Sequence, residues 1–196
     1  MSSSKRQSIL PRVQSGPKAP VNFSSSIIIA DSALLTGNHT INISSETVIH
    51  PRAKLDSSNG RITIGRRCIV NERTSIGALS ADPTPSESRD GVVISDYANI
   101  EVGAVIESGG TLIGEGSLVG VGCRVGKGAR LGRKHCTLTP HSIVKPWEIV
   151  PDFTVVYSNG TRRIDKRGVS DLKNKAQARQ IEVLKRLIPS NPAKFQ

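Results

Sequence analysis

Residues 113–132 read IGEGSLVGVGCRVGKGARLG, and the spacing inside this stretch decides the fold. Aliphatic residues stand six apart at Ile113, Val119, Val125 and Leu131, each followed by a glycine. Six residues are too few for a helix or a hairpin but enough for one short strand and one turn. The same period runs upstream through Ile94, Ile100 and Ile106, through Ile64, Val70 and Ile76, and through Ile43, Ile49 and Leu55 to Ile29 and Leu35. Downstream it continues through Leu138, Val144, Val150 and Val156. No anchor is polar.

Two positions before most anchors the residue is small, as at Ala53, Thr74, Ala98, Ser117, Cys123 and Cys136. Alternation along a strand puts that residue on the anchor's face, so one large and one small side chain share the interior of each repeat. Stacking such units as coils pairs each backbone with the coils above and below and makes the aliphatic rows a continuous core. The expected fold is an all-β solenoid, a parallel β-helix with three flat faces and about 18 residues per coil, roughly 4.8 Å apart. Nineteen anchors, three to a coil, give six to seven coils. A glycine often follows the anchor (Gly65, Gly77, Gly114, Gly120, Gly126, Gly132) and is expected to supply positive φ at the turn.

The period fails at 77–91, GALSADPTPSESRDG, which reads as an extruded loop. Past residue 160 the spacing becomes helical: Ile181, Leu184, Leu187 and Ile188 share one arc, Asp171 offers an N-cap, and Pro189 stops the run. The expected organisation is a basic disordered tail over 1–24, the solenoid over 25–160 with its loop, and a linker with an amphipathic helix over 161–196. That helix is expected to cover the last coils or dock on one face.

The net charge of +11 lies at the two ends. Residues 1–24 hold four basic residues and no acid, 161–196 hold ten basic and three acidic, and 25–160 balance thirteen against thirteen. With aromatics at 3%, this pattern argues against nucleic-acid binding and for tails that touch an acidic partner. No apolar run reaches the roughly 18 residues of a membrane span, and the start lacks a secretory signal, so a cytoplasmic place is expected. Cys68, Cys123 and Cys136 lack CxxC spacing and occupy the small inward slot, so they read as buried filler.

Among His39, His50, His135 and His141 no pair is 18 residues apart, so none is expected to stack on a neighbouring coil as a metal site needs. His135 and His141 are expected on adjacent faces, and His50, before Pro51, at a corner as a surface hydrogen-bonder. No catalytic, cofactor or metal residue is assigned, and the chain is expected not to be an enzyme. The alternative is a homotrimeric hexapeptide-repeat enzyme, an acyltransferase or a γ-carbonic-anhydrase-like protein, resting on His50 and His135 as candidates.

The repeat over 29–156 resembles the hexapeptide-repeat, left-handed β-helix superfamily, and the resemblance supplies the handedness. The segments TVIHPRAKL (47–55), EIVPDFTVVYSNGTRR (148–163) and LKRLIPSNPAKF (184–195) are similar to noncatalytic β-helix subunits of dynactin. That resemblance implies a structural subunit of the pointed-end complex, cytoskeleton-associated and supporting dynein-driven cargo transport along microtubules. It also implies a hetero-oligomer with dynactin subunit 5, an actin-related protein and a zinc-containing subunit. Candidate partner contacts are Asp82, Glu87 and Arg89 in the loop and Lys175, Arg179, Lys185 and Arg186 on the basic face of the helix.

Overall fold

The computed structural model describes residues 16–79 and 90–196. Its strands follow the six-residue units in order. The first coil is β1–β3 (Val21–Phe23, Ile28–Ile29, Leu34–Thr36), and the second is β4–β6 (Ile41–Ile43, Val48–Ile49, Lys54–Asp56). The third is β7–β9 (Ile62–Ile64, Ile69–Val70, Ser75–Ala78), and the fourth is β10–β12 (Val92–Ile94, Asn99–Ile100, Val105–Glu107). Below them lie β13–β15 (Thr111–Ile113, Leu118–Val119, Arg124–Val125), then β16–β18 (Arg130–Leu131, Thr137–Leu138, Ile143–Val144). A partial coil, β19 (Ile149–Val150) and β20 (Thr154–Val156), ends the stack, and β21 (Arg162–Ile164) lies antiparallel to β20.

Three sheets result. Face I is β1, β4, β7, β10, β13, β16 and β19; face II runs from β2 to β20 and β21; face III runs from β3 to β18. Every pairing between coils is parallel, and the solenoid of about six turns matches a left-handed β-helix. Backbone bonds run from coil to coil along each face, as on face II, where the N–H groups of Val48, Ile69 and Asn99 donate to the carbonyls of Cys68, Ala98 and Ser117 at 2.9–3.0 Å.

Nearly all of the anchors are sealed from water, and in the central coils Ile64, Ile76, Ile100 and Ile106 have no exposure. Each such side chain contributes roughly 1.5–3 kcal/mol over an exposed one. The small slot holds hydroxyls whose protons are placed: Thr47 donates to the Gly65 carbonyl at 2.7 Å and Ser142 to that of Val156 at 3.1 Å. The three thiols are free and buried, and Cys68, Cys123 and Cys136 donate to the carbonyls of Ser95, Thr139 and Pro151. Burial pushes the Cys68 thiol up to about 12, which keeps it a neutral, unreactive group.

Four expectations change. Of the glycines after the anchors only Gly77 holds positive φ, and the others do not supply the turn. Positive φ falls two residues later, at Gly116, Gly122 and Gly128 and, where no glycine stands, at Arg67, His141 and Trp147. Gly65, Gly114, Gly120, Gly126 and Gly132 instead meet the coil below: a Cβ on Gly114 would lie 1.6 Å from the Gly132 carbonyl oxygen. The tail expected over 1–24 is in place from residue 16, with β1 paired to β4; residues 1–15 lie outside the described residues. Within the segment expected as loop, Gly77 and Ala78 belong to β9, and 80–89 lie outside the described residues. The segment expected as a linker contains β21, which continues face II.

Helix α1 (Ser170–Leu187) docks on face II at the first three coils, where Ile181 packs with the outward-facing Ile28, Val48 and Ile69, and Leu184 and Ile188 rest against them. Asp171 is in the first turn rather than at the cap, which is Val169, and Leu187 is exposed. The chain thus returns along the stack to its beginning. There the Ile29 N–H donates to the Ser190 hydroxyl at 2.8 Å, and Phe195 enters the core above the first coil. The first coil is closed by the chain's own end.

The glycine geometry gives a graded expectation in urea unfolding. Gly103→Ala, with open space around its Cβ, carries only the left-handed backbone strain of roughly 1–2 kcal/mol. Gly114→Ala, with ordinary φ but no room, is expected to destabilise more; equal losses would contradict the assignment of turn and approach to different glycines.

Candidate functional site

The corner between faces III and I carries a cleft of about 680 Å³ that runs down the edge of face I. Its floor includes Val93 and Leu112, which point outward from β10 and β13, and its rim carries His39, Arg61, Asp90 and Arg130. His39 is half-buried, and its ring is fixed by one bond: Nδ1 lies 2.8 Å from the Ser57 carbonyl oxygen. A carbonyl only accepts, so Nδ1 carries the proton and Nε2 is left as a lone-pair base. The Ser57 hydroxyl answers by donating to the His39 carbonyl at 2.6 Å. His39 and Ser57 are 18 residues apart, whereas the strands flanking this corner pair at 20 and 21 residues, so a fixed period does not place this contact.

The other histidines serve the corners. His135 and His141 both hold positive φ, and their rings lie over Gly116 and Gly122 of the coil above, where a Cβ would come within 2.3 and 2.7 Å. Trp147 covers Gly128 in the same way on the third corner. His135 also stacks on Phe153, with ring centroids 5.9 Å apart. Sequence spacing placed His135 and His141 on different sides of the prism and missed this shared role, which arises from glycine one coil away.

His50 departs from the expected surface hydrogen-bonder. Its Nε2 is buried and without a partner, and burial lowers its pKa against the opposing pull of Glu72. Among the described residues no group of three or more His, Cys, Asp or Glu is placed to hold a metal ion, and no helix is long and apolar enough to cross a membrane.

Of the partner candidates, Asp82, Glu87 and Arg89 lie outside the described residues. Lys175, Arg179 and Arg186 are exposed on α1, whereas Lys185 is half-buried and pairs with Glu182 at 2.6 Å. The structure does not bring these four into one patch with the cleft. Spacing also passed over the outward side chains of the last coil: Ile143 (63% exposed), Trp147 (55%) and Ile149 (73%) surround one corner. The signal was present, because Ile143 and Ile149 each directly precede an inward anchor and must face out.

No family model matches the sequence, and no curated protein is similar to it. Solved structures are. A hexapeptide transferase family protein from Anaplasma phagocytophilum superposes with a TM-score of 0.61 at 15% identity, over 86% of this chain and 97% of that one. A Bacillus cereus protein named as an acetyltransferase superposes with a TM-score of 0.52 at 16% identity, over 88% and 99%. At such identity the likeness establishes the fold, a hexapeptide-repeat β-helix. It also corrects the expectation that the chain is not an enzyme: both neighbours are named as transferases, so this fold gives no ground for denying catalysis.

Stability between pH 7.5 and 5.5 should report His50. A depressed folded pKa means the neutral ring is favoured by folding, so its contribution is complete above the unfolded value of about 6.5 and is lost as pH falls below it. His50→Gln is expected to flatten the loss of thermal stability over that window; an unchanged slope would remove His50 as its source.

Proposed function

We propose that this chain works by protein docking as a β-helix subunit of a dynactin-type pointed-end complex, the reading closest to dynactin subunit 6. The observation that carries it is the division of the surface. One end and much of face II are covered by the chain's own C-terminal segment, while face I, face III and the last coil present flat, rigid area. Docking needs such area, with no requirement for a pocket. The three segments that carry the sequence likeness all stand in these places. Residues 47–55 form the second-coil corner that holds His50, 148–163 leave the last coil through β20 and β21, and 184–195 close the first coil with Phe195. On this reading the partners are dynactin subunit 5, the actin-related protein and the zinc-containing subunit, and the setting is dynein-driven transport in the cytoplasm.

The transferase neighbours favour a second reading, acyl transfer, and the His39 cleft gives it a geometry. With Nδ1 committed to Ser57, Nε2 of His39 takes the proton of an acceptor hydroxyl or amine as that group attacks the carbonyl carbon of an acyl thioester; the C–S bond then breaks and the leaving thiolate takes the proton back from His39. Arg61 and Arg130 on the rim offer charge to an anionic donor.

Size-exclusion chromatography with mass measurement separates the two. The docking reading expects a single chain that joins dynactin subunit 5 in a stable complex. Acyl transfer expects a self-trimer that turns over acetyl-coenzyme A with a suitable acceptor and loses at least about a hundredfold in rate with His39→Ala, the general-base contribution. Failure to join any dynactin subunit would overturn the first reading.

A further inference from the structure

The last coils present two parallel rows of opposite character. Ile143, Trp147 and Ile149 form an apolar row around the corner of faces III and I; a cation stands directly above each isoleucine, and Gly128 stands above Trp147. The strand register pairs Ile143 with Arg124 and Ile149 with Arg130, and the Trp147 N–H donates to the Lys127 carbonyl at 2.8 Å. The rows are therefore one coil apart, about 4.8 Å. Glu107 and Glu148 at this corner each have their own arginine: Glu107 is buried 3.3 Å from Arg124, and Glu148 pairs with Arg162. Lys145, exposed at the same corner, adds to the positive rim.

The lower edge of this coil is made unsuitable for a further strand. The Lys145 N–H is occupied by the Glu148 carboxylate at 2.9 Å, and Pro146 and Pro151 have no N–H to give. Strand addition, as β21 makes beneath β20, is blunted at β18 and β19. What this corner offers is side chains, an apolar stripe beside a cationic one.

From this register we infer that the corner of the last coils is a docking surface for an acidic amphipathic segment of a protein partner, whose apolar stripe lies on Ile143, Trp147 and Ile149 and whose carboxylates face Arg130 and Lys145. The inference deepens the docking role proposed above by stating the chemistry of the partner. A segment with one apolar and one acidic stripe satisfies both rows at once. A charged lipid surface would satisfy the same charges, but the Trp147 ring lies against Gly128 and does not project, so a fitted protein segment is favoured.

Trp147 is the single tryptophan of the chain, so intrinsic fluorescence reads this corner alone. A synthetic amphipathic peptide of leucine and glutamate, added to the full chain, is expected to shift the Trp147 emission to the blue with saturation. The double variant Arg130→Glu with Lys145→Glu should weaken that binding on the order of tenfold or more, and Ile149→Asp should abolish it, with circular dichroism and melting temperature unchanged in both. A peptide of leucine and lysine should leave the emission unmoved. The inference is overturned if the glutamate peptide gives no shift, if the lysine peptide shifts it equally, or if only vesicles of phosphatidylcholine and phosphatidylserine do so. A chain that joins dynactin subunit 5 and yet fails this test keeps the docking role and loses this surface.

Discussion

The structure depends on the coil-to-coil contact, in which one aliphatic side chain per strand stacks on the next while the backbone above donates to the backbone below. Neither half stands alone. A strand of two or three residues has too few bonds to persist, and a single row of aliphatics has nothing to bury against. Together they make each coil the template for its neighbour, which is why the anchors tolerate no polar residue from Ile29 to Val156. The constraint extends to the corners, where the chain turns with one residue in the left-handed region and the residue after each anchor must leave room for the coil below.

A stack built this way has a problem at its ends, and this chain solves the two differently. At the start, the C-terminal segment returns along face II and places Phe195 over the core and Ser190 against the first coil's backbone. At the finish, β21 covers one face, while Glu148 and two prolines blunt the other two edges. Blunting an edge without covering it leaves the side chains of Ile143, Trp147 and Ile149 in water. A chain whose flat area is rigid and whose apolar residues gather at one end is suited to assembly, and the same rigidity positions His39 and the guanidiniums beside its cleft.

The repeat made most of the fold legible before any coordinates. Spacing alone placed the anchors, the small slot with its three cysteines, the three-sided coil and the C-terminal helix. It failed where a property depends on what lies one coil away. The roles of Gly114 and Gly116 look alike in sequence, but one is set by a carbonyl beneath it and the other by its φ and the His135 ring. His50 looked exposed because it precedes a proline at a corner, yet its Nε2 is sealed. The strand β21 carries two adjacent arginines, Arg162 and Arg163, and no anchor, so nothing in its pattern announced that it would pair with β20. The exposed apolar corner was hidden for a different reason: isoleucine and tryptophan are not catalytic residue types, and what marks Ile143, Trp147 and Ile149 is their exposure. The resemblance to a dynactin subunit, in turn, implied partners on which periodicity is silent, while its denial of catalysis did not survive the transferase neighbours.

Amide hydrogen exchange, resolved residue by residue, tests most directly whether each coil is held by its neighbours on both sides. The account predicts slow exchange at Val48, Ile69, Asn99 and Leu118, whose N–H groups donate to the coil below, and fast exchange at Ile143 and Ile149, below which no further strand of faces III and I is paired. Uniform protection through the last coil, or rapid exchange at the centre of the stack, would contradict it.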